Sequence, residues 1–193
     1  MKKFELTNEF VTNMFGTKLF RIRALVEFGD VEAGELGGYV EKESNLGHDD
    51  NAWVSGNAQV SGDARVSGNA QVSGDARVSG NARVSGDAQV FGDARVSGNA
   101  RVSGNAQVFG DARVSGDARV SGDKDYAYAH GFGSCNRTTT FFRLKDGDVG
   151  VRCGCFYGTL AQFRDNVCET HGETKKAQEY LMLADLMDFR FKN

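Results

Sequence analysis

From Val54 to Val120 a valine stands at every sixth position, twelve valines in all. No other feature constrains the fold as tightly. Alanine precedes each valine by two residues, glycine follows each by two, and asparagine or aspartate follows the glycine. The unit is [Asn/Asp]-Ala-x-Val-[Ser/Phe]-Gly, repeated from Asn51 to about Asp123. Strand alternation puts Ala and Val on one side of the backbone and the residues beside Val on the other. Gly followed by Asn or Asp is turn chemistry, because positive φ is cheap there. Each unit is therefore a short strand and a corner with Ala and Val turned inward. One such unit cannot bury its own apolar side, but a stack of them can.

The residue before each valine sets the number of units per coil. One series taken every 18 residues reads Trp53, Gln71, Gln89, Gln107. The next reads Gln59, Arg77, Arg95, Arg113, and the third Arg65, Arg83, Arg101, Arg119. Phe replaces Ser after Val only at Phe91 and Phe109, also 18 apart. A period of 18 sorts glutamine from arginine, so three hexads make one coil of a triangular prism. Twelve hexads give about four coils, at the usual spacing of roughly 4.8 Å between strands. Two faces carry arginine ladders. The third, with Trp53, Gln71, Gln89, Phe91, Gln107 and Phe109, carries none and is the candidate oligomer interface. Stacked surface aromatics call for a partner, either a second subunit or the chain's own C-terminal segment.

The flanks differ from the repeat. Phe4 to Phe10 and Lys18 to Phe28 read as strands about an Asn13–Gly16 turn, a hairpin expected to cover the open end of the stack. Gly37–Val40 opens a first, irregular coil. After Asp123 the repeat decays. Two strands, 138–144 and 149–156, are expected about Lys145–Asp148. A helix capped by Thr159 and running to about Thr170 follows, then a second from Glu173 to about Met187. The expected organisation is 1–47, N-terminal β cap with the irregular coil; 48–126, solenoid; and 127–193, a small ββαα unit.

Glycine is abundant, 25 residues, but regularly spaced, and proline is absent. That pattern is repeat architecture rather than disorder. A net charge of −3 points to neither a nucleic-acid polymer nor a membrane surface as partner. No apolar run reaches the ~20 residues of a membrane span, and the N-terminus lacks a signal-peptide core. The expected location is cytoplasmic, in a bacterial host cell by the resemblance below, with reduced cysteines.

The hexads resemble the left-handed β-helix of the hexapeptide-repeat superfamily, which includes acyltransferases and γ-class carbonic anhydrases. The N-terminal run Arg21-Ile-Arg-Ala-Leu, Phe28-Gly-Asp-Val, Gly34-Glu-Leu-Gly-Gly-Tyr-Val-Glu and Asn51-Ala-Trp-Val looks like YdcK-like proteins of bacteria and prophages, which carry a transferase label. Gly133-Ser-Cys-Asn-Arg-Thr-Thr-Thr-Phe-Phe, Cys153-Gly-Cys-Phe and Glu169-Thr-His-Gly look like the tails of phage hexapeptide-repeat proteins labelled "polymer-forming cytoskeletal". The resemblance implies a mainly β, left-handed parallel β-helix of phage or prophage type.

Catalysis has few candidates. Acyl transfer on such folds uses a histidine base, and the zinc lyases use three histidine ligands. The chain has three histidines, His48, His130 and His171, none within the regular coils. His48 or His130 is the base if the protein is an acyltransferase, but a non-catalytic protein without cofactor is the leading expectation. Cys135, Cys153, Cys155, Cys168 and His171 either surround zinc or, on the simpler reading, are small buried thiols. Asp75, Asp93 and Asp111 are expected to neutralise Arg77, Arg95 and Arg113 of their own hexads. Asn81 and Asn99 leave Arg83 and Arg101 uncompensated, suited to phosphate, though the simpler reading is a solvated ladder that keeps the solenoid soluble. Arg137 followed by Thr138, Thr139 and Thr140 places Thr138 and Thr140 on one strand face, either lining a phosphate or sugar pocket with His171 nearby or expressing the β-propensity of threonine. The expectation is a homo-oligomer, a trimer, holding a phosphate-containing, nucleotide-like small molecule of the kind that signals host defence. The alternative is a structural scaffold.

Overall fold

The computed structural model describes residues 2–133 and 137–192. It contains the expected prism. Strand β1 (Phe4–Thr12), β2 (Lys18–Ala24) and β3 (Leu36–Val40) precede twelve two-residue rungs, β4 (Trp53–Val54) to β15 (Arg119–Val120). Each rung is a repeat valine and the residue before it. The rungs stack in parallel in three columns, always 18 residues apart in register: Gln89 beside Gln71, Arg95 beside Arg77, Arg101 beside Arg83. The three side-chain series read from the sequence are these three columns.

Every repeat alanine is fully buried, and so is every repeat valine but Val120, which is nearly so. They form one continuous core. Alanine fits because the prism narrows at each corner, and valine because a strand favours a branched side chain. Between coils the backbone bonds repeat at each hexad, as in Arg83 N–H to Ala100 C=O at 2.9 Å and Asn81 N–H to Gly98 C=O at 2.9 Å. The corner glycines require their identity. Gly68 sits at φ +67°, and a Cβ there would lie 2.9 Å from the Gly86 nitrogen one coil on. Coils at strand spacing leave no room for it.

The stack is longer than twelve hexads suggest. The longest parallel column has five rungs, because Tyr39–Val40 of β3 pairs with Gln59–Val60, and Leu46 bridges to Val66 below the column of Arg65. These positions lack the Asn/Asp-Ala-x-Val-Ser-Gly signature, and Leu46 to Val54 is eight residues rather than six. The extra residues bulge at the corner, with Asp50 at φ +58°.

Each end of the stack leaves backbone groups that a further coil would have paired, and side chains replace that coil. At the lower end the Asn45 amide donates to Gly62 C=O (3.0 Å) and Ala64 C=O (2.8 Å). The buried Lys3 ammonium donates to Ala52 C=O (2.8 Å) and Asp50 C=O (3.2 Å) and lies 4.5 Å over the Phe28 ring. Burial pushes the Lys3 ammonium below its ordinary pKa, partly opposed by Asp50 and Asp49. The hairpin β1–β2 turns at Asn13–Gly16 and adds to β3 in antiparallel fashion. It prolongs one face of the prism, while its Phe4 and Ile22 close the bottom of the core.

The C-terminal unit departs from the expected ββαα order. It is a four-stranded antiparallel meander, β16 (Tyr126–Phe132), β17 (Arg137–Arg143), β18 (Val149–Cys153) and β19 (Phe156–Thr159), followed by α1 (Leu160–His171) and α2 (Lys175–Phe191). Tyr126 is why the first strand escapes the hexad pattern. It sits 18 residues after Val108, is buried in the solenoid core, and begins a strand that pairs with β17 instead of with the coil below. Thr159 caps α1 in a capping box with Gln162, and Thr174 caps α2. Residues of β17 alternate between two cores: Phe142 enters the solenoid cluster, and Phe141 the cluster formed with the helices.

The unit packs on its own solenoid. Thr140 Oγ1 accepts the Arg113 N–H at 3.0 Å, and Lys145 N–H reaches Asp117 C=O at 3.1 Å. Arg113 ends its column, so no coil above offers the carbonyl that its predecessors use. The threonine hydroxyl stands in for that carbonyl.

Candidate functional site: an arginine cleft where the solenoid meets the C-terminal sheet

The top of one arginine ladder runs into the meander. Arg113 comes from the last rung of its column and Arg137 from the start of β17. Arg152 lies on β18, directly across the ladder from Thr140. These three line a cleft of about 590 Å³ together with His130, Thr138 and Asp111. Thr138 Oγ1 lies 2.9 Å from His130 Nδ1. Gly154, in the turn between β18 and β19, has φ +58°, and a Cβ there would fall 2.7 Å from Arg137 Nη1. The positive φ favours glycine there, and the guanidinium lies against the turn. Three guanidinium groups against one carboxylate make a site suited to a compact anion, and planar forks match phosphate oxygens in pairs.

Beside it lies a second hollow of about 350 Å³, walled by Phe156, Phe163, Tyr180 and His171. Arg137, Gly154 and Cys155 border both spaces. The His171 ring stacks on Tyr180 with centroids 5.8 Å apart.

The expected ligand residues therefore separate into three places. Arg137 and Thr138 line the cleft, and His171 joins Arg137 at the second hollow. Thr140 is fully buried and holds the Arg113 backbone, so the expectation that it lines the pocket is corrected: its hydroxyl is spent on joining sheet to solenoid. Arg83 and Arg101 stand on a different face from Arg113 and do not meet Arg137. Arg83 instead borders a separate hollow of about 710 Å³ beside Glu43 and His48. Three cleft residues, Arg113, Arg152 and His130, were not singled out as ligands by sequence. Arg113 looked like one more ladder arginine, and nothing in the chain near Arg152 or His130 marks the sheet pairing that gathers them.

The expected charge pairing is also corrected. Among the described residues, no arginine of the solenoid takes part in an ion pair. Corner aspartates instead accept from asparagines of the neighbouring coil, as in Asn69 to Asp87 (2.9 Å) and Asn99 to Asp117 (3.2 Å). The corner turn aims these side chains along the stack rather than across to the strand.

His48 has both ring nitrogens engaged. Lys3 N–H donates to Nδ1 at 3.2 Å, which leaves the proton on Nε2, facing Glu43 Oε1 at 2.9 Å. The ring stacks on Phe4. It is held as part of the N-terminal cap and has no nitrogen open to a substrate proton. Hydrogen bonding from Lys2, with His48 adding to it, holds the Glu43 carboxyl below its ordinary pKa. Cys153 Sγ accepts from Thr139 Oγ1 at 3.2 Å. Among the described residues no group of three His, Cys, Asp or Glu side chains converges as for a metal ion. Cys135 lies outside the described residues.

On the arginine-free face Gln71, Gln89, Phe91, Gln107 and Phe109 align as expected. Phe91 and Phe109 stack at 5.2 Å with planes 10° apart, and Tyr128 of β16 meets Phe109 edge-on at 5.4 Å. Trp53 does not belong to this surface. It is 2% exposed, covered by Phe28 and by the backbone at Gly37. The segment after β2 folds over the first coil, a contact that the column pattern cannot convey. Next to Phe109 a groove is bordered by Leu186 and Phe189 of α2, and Phe189 is 74% exposed. Among the described residues no helix is long and apolar enough to cross a membrane.

Fold and repeat define a β-solenoid repeat protein with 18-residue coils and a C-terminal sheet-and-helix unit. The coils are similar to the YdcK β-solenoid repeat, whose family model matches residues 58–74, 70–86, 76–92, 88–104, 94–110 and 106–122, all within the stacked hexads. No curated protein matches the chain.

Proposed function

We propose that this is a non-catalytic, oligomeric binding protein that holds an anionic, nucleotide-like ligand in the cleft formed by Arg113, Arg137 and Arg152. The observation that carries the reading is the convergence of three guanidinium groups from separate parts of the chain on one concave site with a single carboxylate. Guanidinium groups facing one space repel one another, and a bound anion relieves that repulsion. The rigid prism and meander hold the groups in place beforehand, which reduces the ordering cost of binding. In the fuller form of the proposal the protein is a homotrimer of phage type acting inside a bacterial host cell. It assembles through the face of Gln71, Gln89, Phe91, Gln107 and Phe109 and withholds a nucleotide signal from host defence.

Native mass spectrometry of the purified protein with pyrophosphate and a panel of nucleotides tests the proposal. Retention of a phosphate compound by the wild type, lost in the Arg137→Ala/Arg152→Ala double variant, is the expected result. Equal retention by both proteins would remove the cleft from the proposal.

A scaffold reading is favoured by a different observation, the exposed apolar stripe Met182, Leu186 and Phe189 along α2 beside the aromatic column. A discrete oligomer that retains none of the phosphate compounds would favour it.

A further inference from the structure

The cleft adjoins the hollow between the meander and α1, and the two spaces share Arg137, Gly154 and Cys155 as a common border. Their chemistry is unlike. The cleft has three guanidinium groups. The hollow has one face of α1, with Phe163 and Val167, like Tyr180, buried at its floor and Asn166 and Thr170 exposed at its rim, while Phe156 and His171 supply aromatic surface. At about 350 Å³ it falls within the range of roughly 300–1,000 Å³ usual for small-molecule sites. An inorganic anion in the cleft would leave it empty.

We infer that the hollow is the base-recognition half of a two-part nucleotide site, with the phosphate among Arg113, Arg137 and Arg152 and the base in the chamber walled by Phe156, His171 and Tyr180. This rests on the proposed anion-binding role of the cleft and assigns what lies beyond it. A nucleobase is flat, apolar on its faces and polar along its edge. The chamber matches both properties, with aromatic rings for the faces and the Asn166 amide, donor and acceptor together, for the edge. Arg137 stands at the junction. There its guanidinium serves the phosphate with its N–H edge and the base with its flat face. Gly154, whose φ of +58° favours glycine, places the turn of the meander against Arg137 at the junction.

Isothermal titration of the intact protein separates the two halves. The probes are pyrophosphate, ribose 5-phosphate and the nucleoside monophosphates AMP, GMP, CMP and UMP. At least one nucleotide is expected to bind about tenfold or more tighter than ribose 5-phosphate, the usual worth of stacking one base. Asn166→Ala, on an exposed helix position, is expected to erase part of that margin, the share owed to the base edge, and leave ribose 5-phosphate binding unchanged. Arg152→Ala is expected to weaken both. If ribose 5-phosphate and every nucleotide bind equally, or Asn166→Ala alters neither or both alike, the base chamber is refuted and the anion cleft stands. If no phosphate compound binds, the cleft reading and this inference fall together.

Discussion

Replacing Gly68 by alanine tests whether the spacing of the coils, rather than the turn alone, dictates the corner glycines. Gly16 is the control. Both have positive φ, +67° and +80°, but a Cβ on Gly16 meets nothing within 4 Å, whereas one on Gly68 lies 2.9 Å from Gly86 N and 3.1 Å from Gly86 O. The cost of placing an L-residue in the left-handed region, about 1–2 kcal/mol, is common to both. Part of it, about 0.4–1 kcal/mol, is returned because alanine restricts the unfolded chain. Gly16→Ala is therefore expected to cost about 1 kcal/mol. Gly68→Ala must also push two coils apart where Asn69 N–H bonds Gly86 C=O at 2.8 Å. Leaving such a buried group unpaired adds about 1–3 kcal/mol, for a total near 2–4 kcal/mol. Urea unfolding followed by far-UV circular dichroism and by the fluorescence of Trp53, the sole tryptophan, measures both variants. Coincidence of the two probes checks that the stack unfolds as one unit. Equal losses for the two variants would refute the argument that neighbouring backbone excludes a side chain at the corners.

Three further outcomes are expected. Thr140→Val leaves the Arg113 N–H without its acceptor, costing about 1–3 kcal/mol; hydrogen exchange at the Arg113 amide should quicken, and unchanged protection would count against the hydroxyl as a substitute for the missing coil. Lys3→Met removes both donors to the Ala52 and Asp50 carbonyls and should lower stability by a similar amount, about 1–3 kcal/mol; a variant as stable as wild type in urea would show that water serves those carbonyls equally well. Glu43 is held below its ordinary pKa of 4.5, so its contribution is present above pH 4.5 and fades as pH falls through the lowered value. The wild-type advantage in Tm over Glu43→Gln should shrink below pH 4.5, and a constant gap from pH 6 to pH 3 would contradict this.

The prism was legible because its rule is local and repeated. Gln71, Gln89 and Gln107 share a column, and counting alone reveals it. The coils at either end keep the shape while losing the letters: Gly37–Val40 still reads as an irregular first coil and Tyr126 as a substitute valine, but Leu46 takes a valine place after a hexad with no glycine corner, and only the structure shows it. The site was legible only where adjacent residues carried it, at Arg137 and Thr138. Arg152 reaches the cleft through antiparallel pairing with β17, and Arg113 through being last in its ladder. Both are facts of topology, invisible to composition. Thr140 shows the opposite failure, since its side matched the prediction and its burial did not. Trp53 likewise belonged to the right column but lay beneath a segment whose path no periodicity encodes.

The three-column register bears on how such a chain can change length. Loss or duplication of 18 residues in the repeat returns the chain to the same column, displaced by about 4.8 Å along the axis. The C-terminal sheet would still land on an arginine ladder and the cleft would be rebuilt one storey higher or lower. Loss or duplication of a single hexad preserves every buried alanine and valine yet delivers the sheet to the next column, a third of a turn away. The core tolerates both kinds of slippage equally well. Only the first keeps Arg113 or its equivalent under Arg137 and Arg152, so the cleft makes the molecule count in eighteens although its core counts in sixes.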